Sequence, residues 1–324
     1  MSETFSPAPV VADLRRIEMP SLAGLYARAA ADAAGRAVRG SGEVGALPDQ
    51  ALAARSAGAT TATTEAYRRL VGGEAFDGVH RWSLPSALVH VLGFPVQVAL
   101  MADRRFPLPL MGLVHLSNAV EHRRPIGVEQ PLQIRARAEN LREHRRGVQV
   151  DIVTEVLREQ ADPAAPAEQD VLWTGTSTYL ARGLRLPDEP AAGSSEESGR
   201  RDGDAVALPP RTASWRFGAD AGRSWAAVSG DCNPIHLSAL TAKALGMPSA
   251  IAHGMHAAAK MLEGREPQEA GHRWRITFEA PIRLPAQVAV AAEDLGAGRT
   301  RITGWDARRR RRHFHGELQL PEHD

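Results

Sequence analysis

The chain has 324 residues, of which 43% are hydrophobic and 24% charged, fractions that exclude a wholly disordered chain and leave room for about two domains. A single cysteine, Cys232, excludes intrachain disulfide bonds and cysteine-based zinc sites, and is typical of a reducing, cytoplasmic setting. The 39 basic and 38 acidic residues nearly cancel, which predicts no attraction to nucleic acid, and no apolar run approaches the ~20 residues of a membrane span.

Residues 1–59 are predicted to form an N-terminal extension that is part helix and part irregular chain. An Ala-rich segment with helical apolar spacing, residues 22–38, follows a start signal at Pro20 and Ser21. Between residues 40 and 64, Gly, Ala, Ser and Thr dominate without clear periodicity, so we expect an irregular connection there.

Two halves follow, and each combines one apolar helix with four strand-like segments. The helices are predicted over residues 86–101, despite Pro95, and over residues 250–262. The strand-like segments are residues 110–115, 132–138, 148–156 and 171–180 in the first half, and 274–278, 287–292, 299–305 and 313–320 in the second. Between the halves, Pro, Gly, Ser and charged residues replace apolar ones, which predicts a linker over residues 184–205.

The order of elements and one short string indicate an internal duplication. Pro248 follows Pro85 by 163 positions, and His253 follows His90 by the same distance. A helix that is apolar on nearly every side must be buried, and strands that follow it without alternating helices argue against a parallel sheet. The predicted fold is therefore α+β, with one helix wrapped by an antiparallel sheet in residues 60–183, another in residues 206–324, and the two sheets joined side by side.

The densest group of polar and turn-forming residues lies in the second half, at residues 225–237. Gly230, Asn233 and Pro234 should end a helix and place Asp231 and His236 on a loop. An Asp and a His held together can orient a water molecule and move its proton, because imidazole titrates near neutrality. The alternative is structural, with Asp231 and Asn233 only capping the next helix or ordering a turn.

A second candidate feature is Gly254, at the start of the second apolar helix. Glycine lets a ligand approach backbone N–H groups closely, and a helix N-terminus favours developing negative charge, as in an oxyanion hole. The alternative is a glycine that only makes room for a neighbouring strand.

The strings SGDCNPIH, from Ser229, and AIAHGM, from Ala250, resemble the (R)-specific enoyl-thioester hydratases, or MaoC-like dehydratases. The duplicated layout is similar to the double hot-dog members of actinobacteria and of peroxisomal multifunctional enzymes, above all to the mycobacterial-type (3R)-hydroxyacyl-thioester dehydratases of fatty-acid metabolism. Specific motifs carry the resemblance over residues 206–320, whereas residues 60–183 match by layout only.

The resemblance implies a hydro-lyase that interconverts trans-2-enoyl and (3R)-3-hydroxyacyl thioesters of coenzyme A or acyl-carrier protein, with no metal or redox cofactor. Asp231 and His236 would hold and activate water, and the Gly254 N–H would polarise the thioester carbonyl. The implied supporting or substrate-binding residues are Ser229, Asn233, His253 and Met255.

The sequence departs from the family pattern beside these motifs. Ser238 stands where many members have Asp, and we expect it to cap a helix. Leu262 lies near the place of a serine that supports the catalytic Asp, so support for Asp231 is expected from Ser229 or from backbone N–H groups. His256 is expected to be a partly buried packing residue, with ligand contact as the alternative.

The first half is predicted to be non-catalytic. It keeps His90 but has Val91 in place of the glycine, and nothing before it resembles the catalytic loop. We therefore expect one active site in a chain that forms its own pseudo-dimer, with pairing of two chains left open. Leu92, Phe94 and Pro95 either line the acyl site or belong to the core.

Basic residues offer alternatives that the sequence leaves open. Five arginines, residues 308–312, either form a solvated hairpin or meet the phosphates of coenzyme A or an acidic acyl-carrier protein. His90, Arg104 and Arg105 either bind a carrier phosphate or lie on a solvated surface. Two other functions also remain: a thioesterase of the same fold, and a non-catalytic acyl-thioester-binding subunit of a fatty-acid synthase system.

Overall fold

The computed structural model describes residues 13–39, 44–73, 82–187, 207–244, 246–267 and 271–321, with the side chains of residues 32–39 left out. The helices are α1 (Leu22–Arg39), α2 (Thr61–Val71), α3 (Ser86–Met101), α4 (Ala221–Ser229), α5 (Pro234–Leu237), α6 (Ala239–Ala244) and α7 (Gly254–Leu262). The strands are β1 (Asp13–Arg16), β2 (Gln50–Ser56), β3 (Leu113–His122), β4 (Leu132–His144), β5 (Gly147–Arg158), β6 (Val171–Arg182), β7 (Ala213–Phe217), β8 (His272–Phe278), β9 (Ala286–Gly296), β10 (Arg299–Asp306) and β11 (Arg311–Gln319).

All eleven strands form one sheet with the order β1-β2-β4-β5-β6-β3-β8-β11-β10-β9-β7. Apart from the edge strand β1, the order is symmetric about the β3–β8 pair, because β2, β4, β5 and β6 correspond to β7, β9, β10 and β11. The chain also runs through each half in the same order, from one strand through the helices to four strands. The double hot-dog fold and the pseudo-dimer within the chain are thus confirmed.

The two central helices differ in length. Helix α3 has the predicted bounds, continues through Pro95, and is buried along most of its surface, which explains its nearly uniform apolar composition. Helix α7 begins at Gly254, so its predicted start at residue 250 is wrong. The preceding residues are extended because Ile251 pairs with Arg283 and the Ala252 N–H donates to the Ile282 carbonyl at 2.9 Å.

The irregular connection expected over residues 40–64 is also wrong. Strand β2 pairs with β4 in this segment, and helix α2 begins at Thr61, where the Thr60 side chain accepts a hydrogen bond from the Thr63 N–H. Strand β2 is rich in alanine and has no β-branched residue, so its strand propensity is low, and pairing and burial determine its structure. The first half of the sheet thus includes residues before position 60, and residues 188–205 of the expected linker lie outside the described residues.

A buried serine ties the two halves together near their seam, the β3–β8 pair. The Ser86 hydroxyl group accepts hydrogen bonds from the indole N–H of Trp173, on β6, at 2.9 Å and from that of Trp274, on β8, at 2.8 Å. One hydroxyl therefore satisfies two buried donors that come from opposite halves.

No helix in the described part of the chain is long and apolar enough to cross a membrane.

Candidate active site

The loop after α4 presents Asp231 and His236 as the sequence predicts. Helix α4 ends at Gly230, whose φ of 72° lies in the left-handed region that glycine adopts without strain. The Asn233 side chain then caps α5 by accepting from the Ile235 N–H at 3.4 Å, and Pro234 takes the first helical position. Asp231 therefore lies before a four-residue helix and His236 within it.

The Asp231 carboxylate is held by donors on two sides. Its Oδ1 accepts a hydrogen bond from the Tyr26 hydroxyl at 2.7 Å and from the Asn233 N–H at 3.2 Å. Its own N–H donates to the Ser229 hydroxyl at 3.1 Å. Burial and the Asp231 charge raise the pKa of Tyr26, so the hydroxyl stays protonated and remains a donor.

His236 is oriented as a neutral base. Its Nδ1 lies 2.8 Å from the Ile251 carbonyl oxygen, which can only accept, so Nδ1 carries the proton and Nε2 keeps a lone pair. Burial lowers the pKa of His236, while the nearby Asp231 charge acts in the opposite direction. The imidazole is therefore neutral at pH 7, with a basic nitrogen available to a substrate.

His253 packs behind this pair. Its ring stacks on the His236 ring with centroids 3.7 Å apart, and its Nε2 lies 3.2 Å from the Asp231 carbonyl oxygen and 3.5 Å from Oδ2. Burial, then the neighbouring His236, lower the pKa of His253.

Ligand atoms of Asp231, His236 and His253 all lie within 4.8 Å of one another, a spacing that would also suit a metal ion. The absence of a metal cofactor stays a prediction.

Gly254 is the first residue of α7, where N–H groups have no partner within the helix. A Cβ at this position would lie 2.8 Å from the Phe278 ring, so the glycine also permits tight packing against β8. The packing and oxyanion interpretations of Gly254 are compatible. The first depends on the missing side chain, which leaves room for Phe278, and the second depends on the backbone N–H group. Met255 follows and is buried.

The sequence did not indicate that α1 reaches this site. Tyr26 lies on a helix outside both repeats, and its contact with Asp231 spans 205 positions. Burial, and then the Asp231 charge, raise the pKa of Tyr179, a residue of the first half whose ring stacks on that of His115. The one sequence signal for this role is that Tyr26 is the only aromatic residue in the Ala-rich sequence of α1.

Departures from the family motif have clear structural outcomes. The Ser238 hydroxyl accepts from the Thr241 N–H at 3.1 Å and caps α6, as predicted. Leu262 is buried at the end of α7, and the Tyr26 hydroxyl and the Asn233 N–H support Asp231 instead. His256 lies in the core, stacked on Trp225 with centroids 5.2 Å apart.

In the first half, the residue that corresponds in sequence to Gly254 does not lie at a helix N-terminus. Val91 is the sixth residue of α3, so its N–H lies inside the helix rather than at its start. His90 is buried against Phe94 and His115, which contradicts both a solvated position and a role beside Arg104 and Arg105. Both arginines are exposed, and Arg105 pairs with Asp103. Leu92, Phe94 and Pro95 are half-buried.

The arginine run lies in the β10–β11 hairpin, as one interpretation predicts: residues 308–310 form the turn, and Arg311 and Arg312 begin β11. Arg309 pairs with Asp306 at 3.4 Å, and Arg312 donates to Glu279 at 2.6 Å. Cys232 is half-buried in the loop and has no assigned role.

Comparison with known proteins identifies proteins that are similar to this chain in sequence and in fold. Residues 203–307 match the family model described as MaoC like domain. The 3-hydroxyacyl-thioester dehydratase X of Mycobacterium tuberculosis is 36% identical over 227 residues, which cover 69% of this chain and 72% of that protein. A crystal structure of HtdX from the same organism superposes with a TM-score of 0.66 at 29% identity, covering 84% of this chain and all (100%) of the other. A MaoC-like dehydratase from Phytophthora capsici is 16% identical and shares the fold, with a TM-score of 0.61 over 86% of this chain and 97% of the other.

Proposed function

Since the chain belongs to the MaoC-like dehydratase family, we propose that it interconverts (3R)-3-hydroxyacyl thioesters and trans-2-enoyl thioesters in fatty-acid metabolism. The observation that supports this proposal best is that a ring nitrogen of the neutral His236 lies within 4.8 Å of a carboxylate oxygen of Asp231, and that the His236 ring stacks on His253, the residue before α7. Dehydration of a 3-hydroxyacyl thioester needs a base for the C2 proton, an acid for the leaving hydroxyl group and a donor for the enolate oxygen.

His236 is the group suited to carry the proton. In the dehydration direction its Nε2 takes the C2 proton, and the electron pair of the C–H bond moves into an enolate whose charge lies on the thioester oxygen. The Gly254 N–H, at the positive end of α7, donates to that oxygen. Asp231 lies close enough to stabilise the imidazolium that forms.

The second step returns the same proton. The imidazolium donates it to the 3-hydroxyl oxygen, the C3–O bond breaks, and the enolate electrons form the C2–C3 double bond as water leaves. Asp231 accepts a hydrogen bond from the hydroxyl group, and afterwards from the product water. Hydration is the reverse, so Asp231 and His236 together hold the attacking water molecule.

The substrate is an acyl thioester, and coenzyme A and acyl-carrier protein are the two carriers to compare. We place this activity in the cytoplasm, in keeping with the single free cysteine. The internal pseudo-dimer supplies both halves of the fold within one chain, and light scattering would show whether two chains pair further.

The test is hydration of crotonyl-coenzyme A, followed by loss of the enoyl absorbance. Asp231→Asn and His236→Ala should each lower kcat by a factor of about 100 or more while the protein remains folded. Asp294→Asn and His315→Ala, two substitutions at exposed positions, serve as matched controls and should keep the wild-type rate. Full activity in both active-site variants would refute the assignment.

The same assay separates the alternatives. A thioesterase would release free thiol as the enoyl thioester is consumed, which a thiol reagent detects. A non-catalytic subunit would bind the acyl thioester without turning it over. Repeating the assay on acyl-carrier protein and over a series of chain lengths would identify the preferred carrier and acyl group.

A further inference from the structure

A second cluster of titratable side chains lies at the seam of the two halves. His122, the last residue of β3, and His272, the first residue of β8, are direct partners across the strand pair that joins the halves. Their ring centroids are 5.0 Å apart. Glu266, in the segment after α7, lies with its Oε1 at 3.1 Å from Nε2 of His272.

The cluster is buried and its hydrogen bonding is incomplete. His122 is 4% exposed, and the backbone of Arg124 lies nearby, but neither ring nitrogen makes a hydrogen bond of regular geometry within the described residues. The same is true of Nδ1 of His272, which is 6% exposed. Buried polar groups in folded proteins are nearly always satisfied, so three such nitrogens beside a carboxylate point to an occupant.

The donor set suits a transition-metal ion. Candidate ligand atoms of His122, Glu266 and His272 lie within 4.8 Å of one another. Tetrahedral zinc, with bonds of about 2.0–2.1 Å, needs ligands about 3.4 Å apart, which small side-chain rotations would supply. An imidazole ring offers a metal the lone pair of one nitrogen, and two such rings and one carboxylate meet in this cluster.

We propose that His122, Glu266 and His272 bind one divalent transition-metal ion, zinc by preference, with water as a fourth ligand. Imidazole nitrogens and one carboxylate are ligands that zinc accepts, whereas calcium and magnesium prefer oxygen ligands alone. The site is distinct from the catalytic loop, because Glu266 follows the C-terminal end of α7 and Gly254 begins its N-terminal end. Nine helical residues separate these ends by about 14 Å.

The ion would act as a clamp between the halves. Its ligands come from β3 in the first half, and from β8 and the segment after α7 in the second. Glu266 also accepts a hydrogen bond from the Ser86 N–H at 2.8 Å, which links the site to the start of α3. The proposal therefore concerns stability at the seam and does not depend on the proposed reaction.

Metal analysis of the purified full-length chain tests the proposal. After extensive dialysis, the wild-type protein should retain about one zinc ion per chain, and zinc added after chelation should raise its Tm by several degrees. His122→Gln and Glu266→Gln should each lose the bound zinc and the Tm response. Asp231→Asn is the control, because Asp231 belongs to the other group of possible metal ligands, with His236 and His253. This variant should retain the bound zinc and the Tm response.

Replacement of zinc by Co²⁺ keeps the test decisive if a variant fails to fold. The wild-type protein should then show the visible absorption of tetrahedral cobalt with nitrogen and oxygen ligands. A wild-type protein that holds no dialysis-resistant zinc and shows no Tm response would overturn the proposal in favour of a buried water molecule. Zinc retained by His122→Gln but lost by Asp231→Asn would move the ion to the catalytic loop and overturn it equally.

Discussion

The Tyr26 hydroxyl group donates a 2.7 Å hydrogen bond to Oδ1 of Asp231, from a helix that belongs to neither repeat. Leu22, Leu25 and Tyr26 are all buried, so α1 is anchored beside the catalytic loop. The N-terminal extension is thus connected directly to the group that we propose holds the reacting water. Tyr26 acts on the reaction through Asp231 and is a positioning residue.

Tyr26→Phe should lower kcat for hydration about 10-fold with little change in KM, because a hydrogen bond to a charged group contributes about 1.5–3 kcal/mol. A purely structural role would lower the Tm without a loss of kcat at unchanged KM. Tyr67→Phe is the matched control: Tyr67 is fully buried, and its hydroxyl has no partner within the described residues.

Gly254→Ala should reduce both stability and activity. The new Cβ would meet the Phe278 ring, and overpacking of this kind typically costs about 1–3 kcal/mol. Adding Phe278→Ala removes the clash and should restore much of the Tm. If the thioester carbonyl must approach the Gly254 N–H, kcat/KM will stay low in the double variant. Recovery of kcat/KM together with the Tm would show that the glycine serves packing alone.

Ser86→Ala should lower the free energy of unfolding by about 2–4 kcal/mol, because it leaves two buried indole N–H groups, on Trp173 and Trp274, without an acceptor. Urea denaturation measures this change. Ser249 occupies the equivalent place in the second repeat and makes one weaker contact, to the Ala250 carbonyl at 3.3 Å. Ser249→Ala should therefore cost about 1 kcal/mol or less, and equal losses in the two variants would contradict the proposed role of Ser86.

Stability should fall as the pH drops below about 6.5, where an unfolded histidine takes up a proton. Burial lowers the pKa of His90 to about 3 and those of His115 and His256 to about 4, so all three stay neutral in the folded chain. The unfolded state then binds more protons than the folded state. Between the folded-state pKa and about pH 6.5, each histidine lowers the free energy of unfolding by about 1.4 kcal/mol for each pH unit of acidification. Urea denaturation from about pH 7 to about pH 4.5 should show this slope, and His115→Gln should reduce it.

The features that the sequence predicted correctly have a strong local or periodic signal. Helix α3 has its predicted bounds because sixteen residues form a nearly continuous apolar segment. Gly230, Asn233 and Pro234 are turn and cap residues whose effect is local, so the loop that carries Asp231 and His236 could be placed without tertiary information.

The features that were missed depend on contacts distant in sequence. Strand β2 has little strand propensity of its own and forms by pairing with β4, about 80 positions away. The bond from Tyr26 to Asp231 and the shared acceptor at Ser86 both join separate elements. His90 was misplaced because a polar residue in an apolar helix gives no indication of whether aromatic neighbours will enclose it.

The near two-fold arrangement about the β3–β8 seam has an evolutionary consequence. In a dimer of identical subunits every substitution appears twice, once on each side of the axis. Two copies joined in one polypeptide are free of that constraint, so the halves can carry different residues at corresponding positions, as with Val91 in the first and Gly254 in the second. One half can therefore change its side chains while the β3–β8 pair continues to hold both halves together.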